Sequence, residues 1–126
     1  MKSKKLFAII CTFVLVMVFS VATFAGSLYF TNKYIPVGSY SYISSATKDY
    51  SLAKLTLTYF NGSGFGWSAQ YTNGATWTTC TPMKYVYSTI TTSAPYSPSP
   101  VNGTGMRIRA LGEAPNDTYI SGMAKF

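Results

Sequence analysis

The chain of 126 residues contains no histidine. That removes the commonest general base near neutral pH, the Ser-His-Asp arrangement and most zinc sites. Carboxylates are nearly missing as well: Asp49, Glu113 and Asp117 are the three acidic residues. Glycoside hydrolysis needs two at a set separation. Glu113 and Asp117 can meet only across the Ala114-Pro115-Asn116 loop, and they read as solvated loop charges. Asp-rich calcium loops are absent. The two cysteines are Cys11 and Cys80. Cys11 falls in an apolar N-terminal run, which leaves Cys80 without a partner for an internal disulfide. Cys80 has no neighbouring base and is expected on a buried strand face, so it is not placed to act as a catalytic thiol. These gaps read as a non-enzyme with no cofactor and no metal site.

What is present begins with Met1-Lys2-Ser3-Lys4-Lys5, followed by an almost wholly apolar run from Leu6 to Ala25. Lysines, an apolar stretch and a small-residue end are the pattern of a secretory signal peptide, assigned to residues 1–25, with cleavage after Ala25 or after Ala22. The run from Leu6 to Ala25 is 20 residues, about the length that spans a bilayer. An uncleaved, outward-facing anchor is therefore the alternative. Both readings send the rest of the chain out of the cell. Residues 26–126 then form a single domain of 101 residues, enough for a core of its own. Seven cations (Lys33, Lys48, Lys54, Lys84, Arg107, Arg109, Lys125) stand against three anions in that stretch, a net charge of +4. Outside a cell this charge suits anionic walls, lipid headgroups or acidic glycans. No basic run follows Lys5, so nucleic acid is not an expected partner.

Residues 26–126 are rich in Thr, Ser, Tyr, Gly and Asn and show no apolar helical spacing over three turns. Short β-branched and aromatic runs alternate with Gly, Pro and Asn instead, which predicts an all-β antiparallel sandwich of about seven to eight short strands. The expected strands are Leu28–Ile35, Ser39–Ser44, Leu52–Phe60, Phe65–Thr72, Ala75–Thr81, Met83–Thr91, Met106–Leu111 and Thr118–Lys125. The stretch from Ser93 to Gly105, with Pro95, Pro98 and Pro100, lacks ladder donors and reads as a long connection between two sheets. A proline-rich recognition segment is the other reading.

The two tryptophans separate by strand parity. Phe65, Trp67, Ala69 and Tyr71 alternate with Gly66, Ser68, Gln70 and Thr72, so the odd positions face a core. Asn73-Gly74 is the strongest short hairpin signal. A two-residue turn sets Thr72 against Ala75, Gln70 against Trp77 and Trp67 against Cys80. Trp67 and Cys80 then lie inside, and Trp77 outside beside Gln70. The preceding strand matches apolar to apolar if Tyr59 pairs with Phe65 and Leu57 with Trp67, across the loop from Phe60 to Gly64. That hairpin places Lys54, Thr56 and Thr58 on the same outer face as Trp77, Gln70, Ser68, Thr79 and Thr81. The face is expected to be covered by another strand or loop, buried between copies, or open as a ligand platform. Arg107 and Arg109 alternate with Met106, Ile108 and Ala110 and point to one side. Two guanidinium groups so placed can clamp a phosphate or carboxylate, or simply solvate an exposed strand.

The closing stretch "MRIRALGEAPNDTYISGMAKF" resembles the end of a family of small exported β proteins from Gram-positive bacteria. An apolar-Arg-apolar strand, an Asn-containing loop and a Tyr-x-x-Ser-Gly strand carry the likeness, through Arg107, Asn116, Tyr119, Ser121 and Gly122. The tail Met123-Ala124-Lys125-Phe126 departs from the aromatic-acidic ending of that family. The resemblance implies export and a β fold and brings no established activity. The sequence thus reads as an exported, non-catalytic β-sandwich that binds a cell-wall or glycan ligand, with Trp77, Gln70, Lys54, Arg107 and Arg109 as candidate binding residues. The alternative is a secreted cationic bacteriocin or membrane-active toxin acting on an anionic membrane surface.

Overall fold

The computed structural model describes residues 26–126, so the N-terminal segment read as a signal peptide lies outside the described residues. Nine strands and no helix make up the described chain. They are β1 (Ser27–Ile35), β2 (Tyr40–Thr47), β3 (Leu52–Asn61), β4 (Phe65–Thr72), β5 (Trp77–Thr79), β6 (Lys84–Val86), β7 (Thr91–Pro95), β8 (Gly105–Gly112) and β9 (Thr118–Lys125). A four-stranded sheet has the order β1-β9-β3-β7, and a five-stranded sheet has the order β2-β8-β4-β5, with β6 also paired to β4. All strand pairs are antiparallel. The architecture is the expected all-β sandwich, with one more strand than anticipated. The run Met83–Thr91 is not one strand: β6 pairs with β4, whereas β7 pairs with β3 in the other sheet. Ser88 to Ile90 carries the chain across between them.

The core is the space between the sheets. Ala53, Leu55 and Leu57 of β3, Ile120 and Ala124 of β9, and Ala94 of β7 meet Phe65, Trp67 and Ala69 of β4 and Met106, Ile108 and Ala110 of β8. These are the alternate positions that the period-2 pattern turns inward. β8 shows the alternation throughout, buried at each even residue and half-buried at each odd one. Trp67 has no exposed surface. Its indole Nε1 donates to Thr92 Oγ1 at 2.9 Å, which links β4 in one sheet to β7 in the other.

The expected β3–β4 hairpin does not form. β3 pairs with β7 and β9, and β4 pairs with β5, β6 and β8. The two strands face one another across the core, and Gly62 to Gly64 changes sheet. Apolar-to-apolar matching is satisfied equally well by strands in opposite sheets, so the pattern fixed the inner face but not the neighbour. Gly64 permits the crossing: its φ is +121°, a conformation that side chains rarely adopt. The buried Thr118 hydroxyl accepts from Gly64 N at 3.1 Å and donates to Gly64 O at 3.2 Å. A bulge between Leu57 and Tyr59 then reverses parity in β3. Tyr59, expected inside, is exposed, and Phe60 packs against the core instead.

The β4–β5 turn also differs from the two-residue expectation. Thr72 pairs with Trp77, Tyr71 with Thr78 and Gln70 with Thr79, so Asn73 to Thr76 form a four-residue loop. A type I′ turn needs positive φ at both central residues, and only Gly74 of the pair has it, at +99°. Asn73 uses its side chain instead: Oδ1 accepts from Ala75 N at 3.1 Å and from Thr76 N at 3.0 Å, an Asx-type turn. The register moves by two residues, an even number, so every face is kept. Cys80 lies opposite Ala69, to whose carbonyl its backbone N–H donates at 3.0 Å, and Trp67 pairs with Lys84. Cys80 is buried as expected.

The expected connection from Ser93 to Gly105 is shorter than anticipated: Ser93, Ala94 and Pro95 pair with Lys54, Ala53 and Leu52 in the edge strand β7, and Gly105 opens β8. The remainder crosses between the sheets, with its contacts at the end of the sandwich. Ser97 N donates to Cys80 O, Lys48 N to Thr104 O, and Tyr96 Oη to Phe126 O.

Candidate functional site

β4 is buried on both faces, from Phe65 to Gln70. Its inner residues lie in the core, and its outer residues Gly66, Ser68 and Gln70 form the floor of a layer on the outside of the five-stranded sheet. Small residues on this floor let larger neighbours fold over it. A Cβ at Gly66 would meet the side chains of Met83 and Tyr85. Arg107 and Arg109 extend from β8 on one side of the floor, opposite Gln70 and Ser68 respectively. Beyond β8, β2 supplies Tyr40 and Tyr42; on the other side β5 supplies Trp77 and Thr79.

These side chains form an ordered lattice. Arg107 Cζ lies 4.0 Å from the Tyr42 ring centre and 4.3 Å from that of Trp77. Its guanidinium thus has two aromatic rings within cation–π distance. Arg109 Cζ lies 4.5 Å from the Tyr40 ring centre. Each arginine leans toward the tyrosine two pairs along rather than the residue opposite, since Tyr42 faces Arg109 and Tyr40 faces Leu111 in the ladder. Diagonal neighbours on a sheet are within reach of long and aromatic side chains. Each such contact contributes about 0.5–2 kcal/mol, depending on desolvation.

Gln70 fixes the lattice from below. Its Oε1 accepts from Arg107 Nε at 2.8 Å, and its Nε2 donates to Thr79 Oγ1 at 3.2 Å. With both ends of the amide engaged and only 5 % of its surface exposed, Gln70 positions Arg107 rather than reading a ligand. Ser68 Oγ and Arg109 Nε, on directly paired residues, are buried without a hydrogen-bond partner. A buried polar atom left unmatched costs about 1–3 kcal/mol, so two side by side on an otherwise well-bonded sheet need an explanation.

Four of the five sequence-derived site residues therefore meet on one face: Trp77, Gln70, Arg107 and Arg109. Lys54 does not. It lies in the four-stranded sheet, opposite Ser93 and Lys125, because the β3–β4 hairpin that would have carried it to Trp77 is replaced by a sheet crossing. Trp77 is half-buried, with Arg107 rather than a covering strand as its neighbour. Tyr40 and Tyr42 were missed by sequence reasoning. Their alternation in β2 was visible, but nothing local marks β2 as the neighbour of β8.

The groups with possible reactive chemistry lie elsewhere. The backbone N–H of Val37 and the Tyr34 hydroxyl both donate to Asp117, at 2.9 and 2.8 Å. In that order they hold its carboxyl below the usual range. Glu113 lies beside Tyr87 and raises the pKa of that phenol. Burial pushes the Cys80 thiol up to about 11, away from the thiolate needed for nucleophilic attack. Among the described residues no group of three His, Cys, Asp or Glu side chains is placed to hold a metal ion. The chain matches no protein-family model, and no curated protein or solved structure is significantly similar to it.

Proposed function

We propose that the protein is a non-catalytic binding module that recognises a glycan-type ligand of a cell wall or surface through the outer face of its five-stranded sheet. One observation carries this reading: the Tyr42–Arg107–Trp77 stack, held in place by Gln70, on a face that also bears Tyr40, Arg109 and Tyr85. Aromatic rings offer apolar area to the flat sides of sugars, and their orientation is fixed at small entropic cost. A broad face of this kind suits an extended polymer better than a small molecule enclosed in a cleft. The scarcity of acids and the lack of histidine support binding over catalysis. The export expected from the N-terminal stretch supplies the setting.

The test is sedimentation with insoluble cell-wall material and polysaccharides, comparing the protein with a Tyr42→Ala/Trp77→Ala double variant. The expected result is retention of the protein and loss of about tenfold or more in affinity for the variant, given hot-spot aromatics worth ~2 kcal/mol or more between them. Equal retention of both would remove this face as the site. Leakage of anionic vesicles without glycan binding would replace the reading with that of a membrane-active toxin.

A further inference from the structure

Building on that binding reading, we infer that the ligand is an anionic polysaccharide whose carboxylate, sulfate or phosphodiester groups seat on Arg107 and Arg109. A guanidinium carries five N–H donors and no acceptor. Arg107 uses its Nε on Gln70, and two aromatic rings crowd its guanidinium, at 4.0 and 4.3 Å from Cζ. What the stack leaves is the in-plane edge with its terminal N–H groups, the edge that pairs with an oxyanion. Arg109 is stacked on Tyr40 in the same manner, and its Nε has no acceptor. Ser68 Oγ, on the residue paired with it, is 1 % exposed at the residue level and also has none. These two unpartnered atoms lie beneath the face, where the Ser68 hydroxyl can accept as well as donate; the donors left toward solvent are the terminal N–H groups of Arg107 and Arg109, both only half-buried.

The carboxylates cannot supply the missing acceptors. Asp117 is bonded to Tyr34 and Val37, Glu113 lies beside Tyr87, and Asp49 follows Lys48 in the chain segment tied to Phe126 at the end of the sandwich. The one neutral amide in the layer, Gln70, is engaged at both ends. A neutral sugar hydroxyl can accept from these N–H groups, but an oxyanion meets a guanidinium edge with two oxygens and a full charge, in bonds roughly twice as strong. The two arginines are two residues apart on β8, about 6.8 Å along an antiparallel strand. That separation is comparable to one sugar ring with its linkage, so successive acidic groups of a polymer can engage both.

The experiment is calorimetric titration of the protein with polygalacturonate, dextran sulfate and poly(glycerol phosphate), with uncharged dextran as the neutral probe and phosphatidylglycerol vesicles as the lipid source of phosphate. Binding of the acidic polymers, weakened by added salt, with dextran at least tenfold weaker, is expected. Arg107→Gln and Arg109→Gln should each reduce affinity for the acidic polymer by about tenfold or more, the value of a charge-assisted hydrogen bond. Arg107→Lys keeps the charge but loses the stacked fork, and it should fall between the two. Cooperative unfolding and an unchanged far-UV spectrum show that the variants are folded; Arg107→Gln should still melt somewhat lower, because it leaves Gln70 Oε1 without its donor, and so affinity is compared at a temperature where every variant is native. Dextran bound as tightly as the acidic polymers, with Trp77 still required, would overturn the anionic ligand and leave the binding module standing. Acidic polymers bound without dependence on either arginine would also overturn it. Binding to the vesicles alone would overturn it in favour of a lipid headgroup.

Discussion

Trp67 and Trp77 show how far a single residue can be read from its neighbours. The parity of Phe65, Trp67 and Ala69 decides that Trp67 points inward, and no change of strand partner alters that. Trp67 is fully buried and bonded across the core to Thr92. Trp67→Ala should therefore cost about 3–5 kcal/mol in urea unfolding, comparable to the whole stability of a small domain. Trp77→Ala removes a half-buried ring and one cation–π contact, and it should cost about 1 kcal/mol or less. Equal losses for the two would contradict their separation into core and surface. Cys80 gives a second residue-level expectation. Its thiol is raised from an ordinary 9.0 to about 11, first by burial, with Lys48 opposing. Above pH 9 the unfolded chain loses this proton while the folded chain keeps it. The associated stability is thus complete below pH 9 and disappears as the pH rises to 11, a fall of about 2–3 kcal/mol. Burial likewise raises the Tyr96 phenol, so the comparison must be with Cys80→Ser, which retains a donor toward Ala69 O and lacks the thiol. A variant whose alkaline unfolding matches that of the parent protein would exclude Cys80 as a cause.

At the scale of elements, what a strand faces was legible and what it pairs with was not. The inward sets of β4 and β8, and of β3 as far as Leu57, follow from alternation alone; the bulge that turns Tyr59 out does not. The pairing of β3 with β9 and of β4 with β8 depends on contacts far apart in the chain, and the Gly-rich link from Asn61 to Gly64 is compatible with either a hairpin or a sheet crossing. The crossing is held by particular atoms, which makes it testable. Thr118→Val keeps the shape of the side chain but leaves Gly64 N without its acceptor in a buried position. It should cost about 1–3 kcal/mol; an unaltered denaturation midpoint would mean that water or another group satisfies Gly64. Gly122 marks the second point at which elements are locked together. A Cβ there would run into the carbonyl oxygen of Thr56 on the neighbouring β3, and backbone cannot give way as a flexible side chain can. Gly122→Ala should destabilise by about 3 kcal/mol or more. Retention of parental stability would mean that β3 and β9 separate more easily than their ladder implies.

Over the whole molecule, the two sheets carry their outward cations in different aromatic settings, and this is where the candidate site left the reach of the sequence. Alternation placed Arg107 with Arg109 and Gln70 with Trp77. Only the insertion of β8 between β2 and β4 brings the two pairs together and adds Tyr40 and Tyr42; Gln70 and Arg107 are 37 residues apart. The other sheet also carries two outward cations, Lys54 and Lys125, which lie opposite one another. Lys125 lies 5.6 Å from the Tyr50 ring centre, and no second ring encloses it among the described contacts. The two faces therefore offer equal formal charge with different preorganisation. If net charge alone draws the protein to an acidic polymer, Lys54→Gln/Lys125→Gln and Arg107→Gln/Arg109→Gln should weaken binding alike, since each double variant removes two positive charges. If the stacked arginines form the site, the lysine variant should bind within about threefold of the parent, because distant exposed charges are screened at physiological salt. The arginine variant should then lose most of the affinity. The lysine variant should change stability by less than about 1 kcal/mol, since relief of the like charges opposed across the ladder is offset by loss of the Lys125–Tyr50 contact. Thermal melts and polymer titrations of the two variants measure both effects in the same preparations. Equal loss of binding in the two would assign the interaction to the field of the whole molecule and not to the face that holds Trp77.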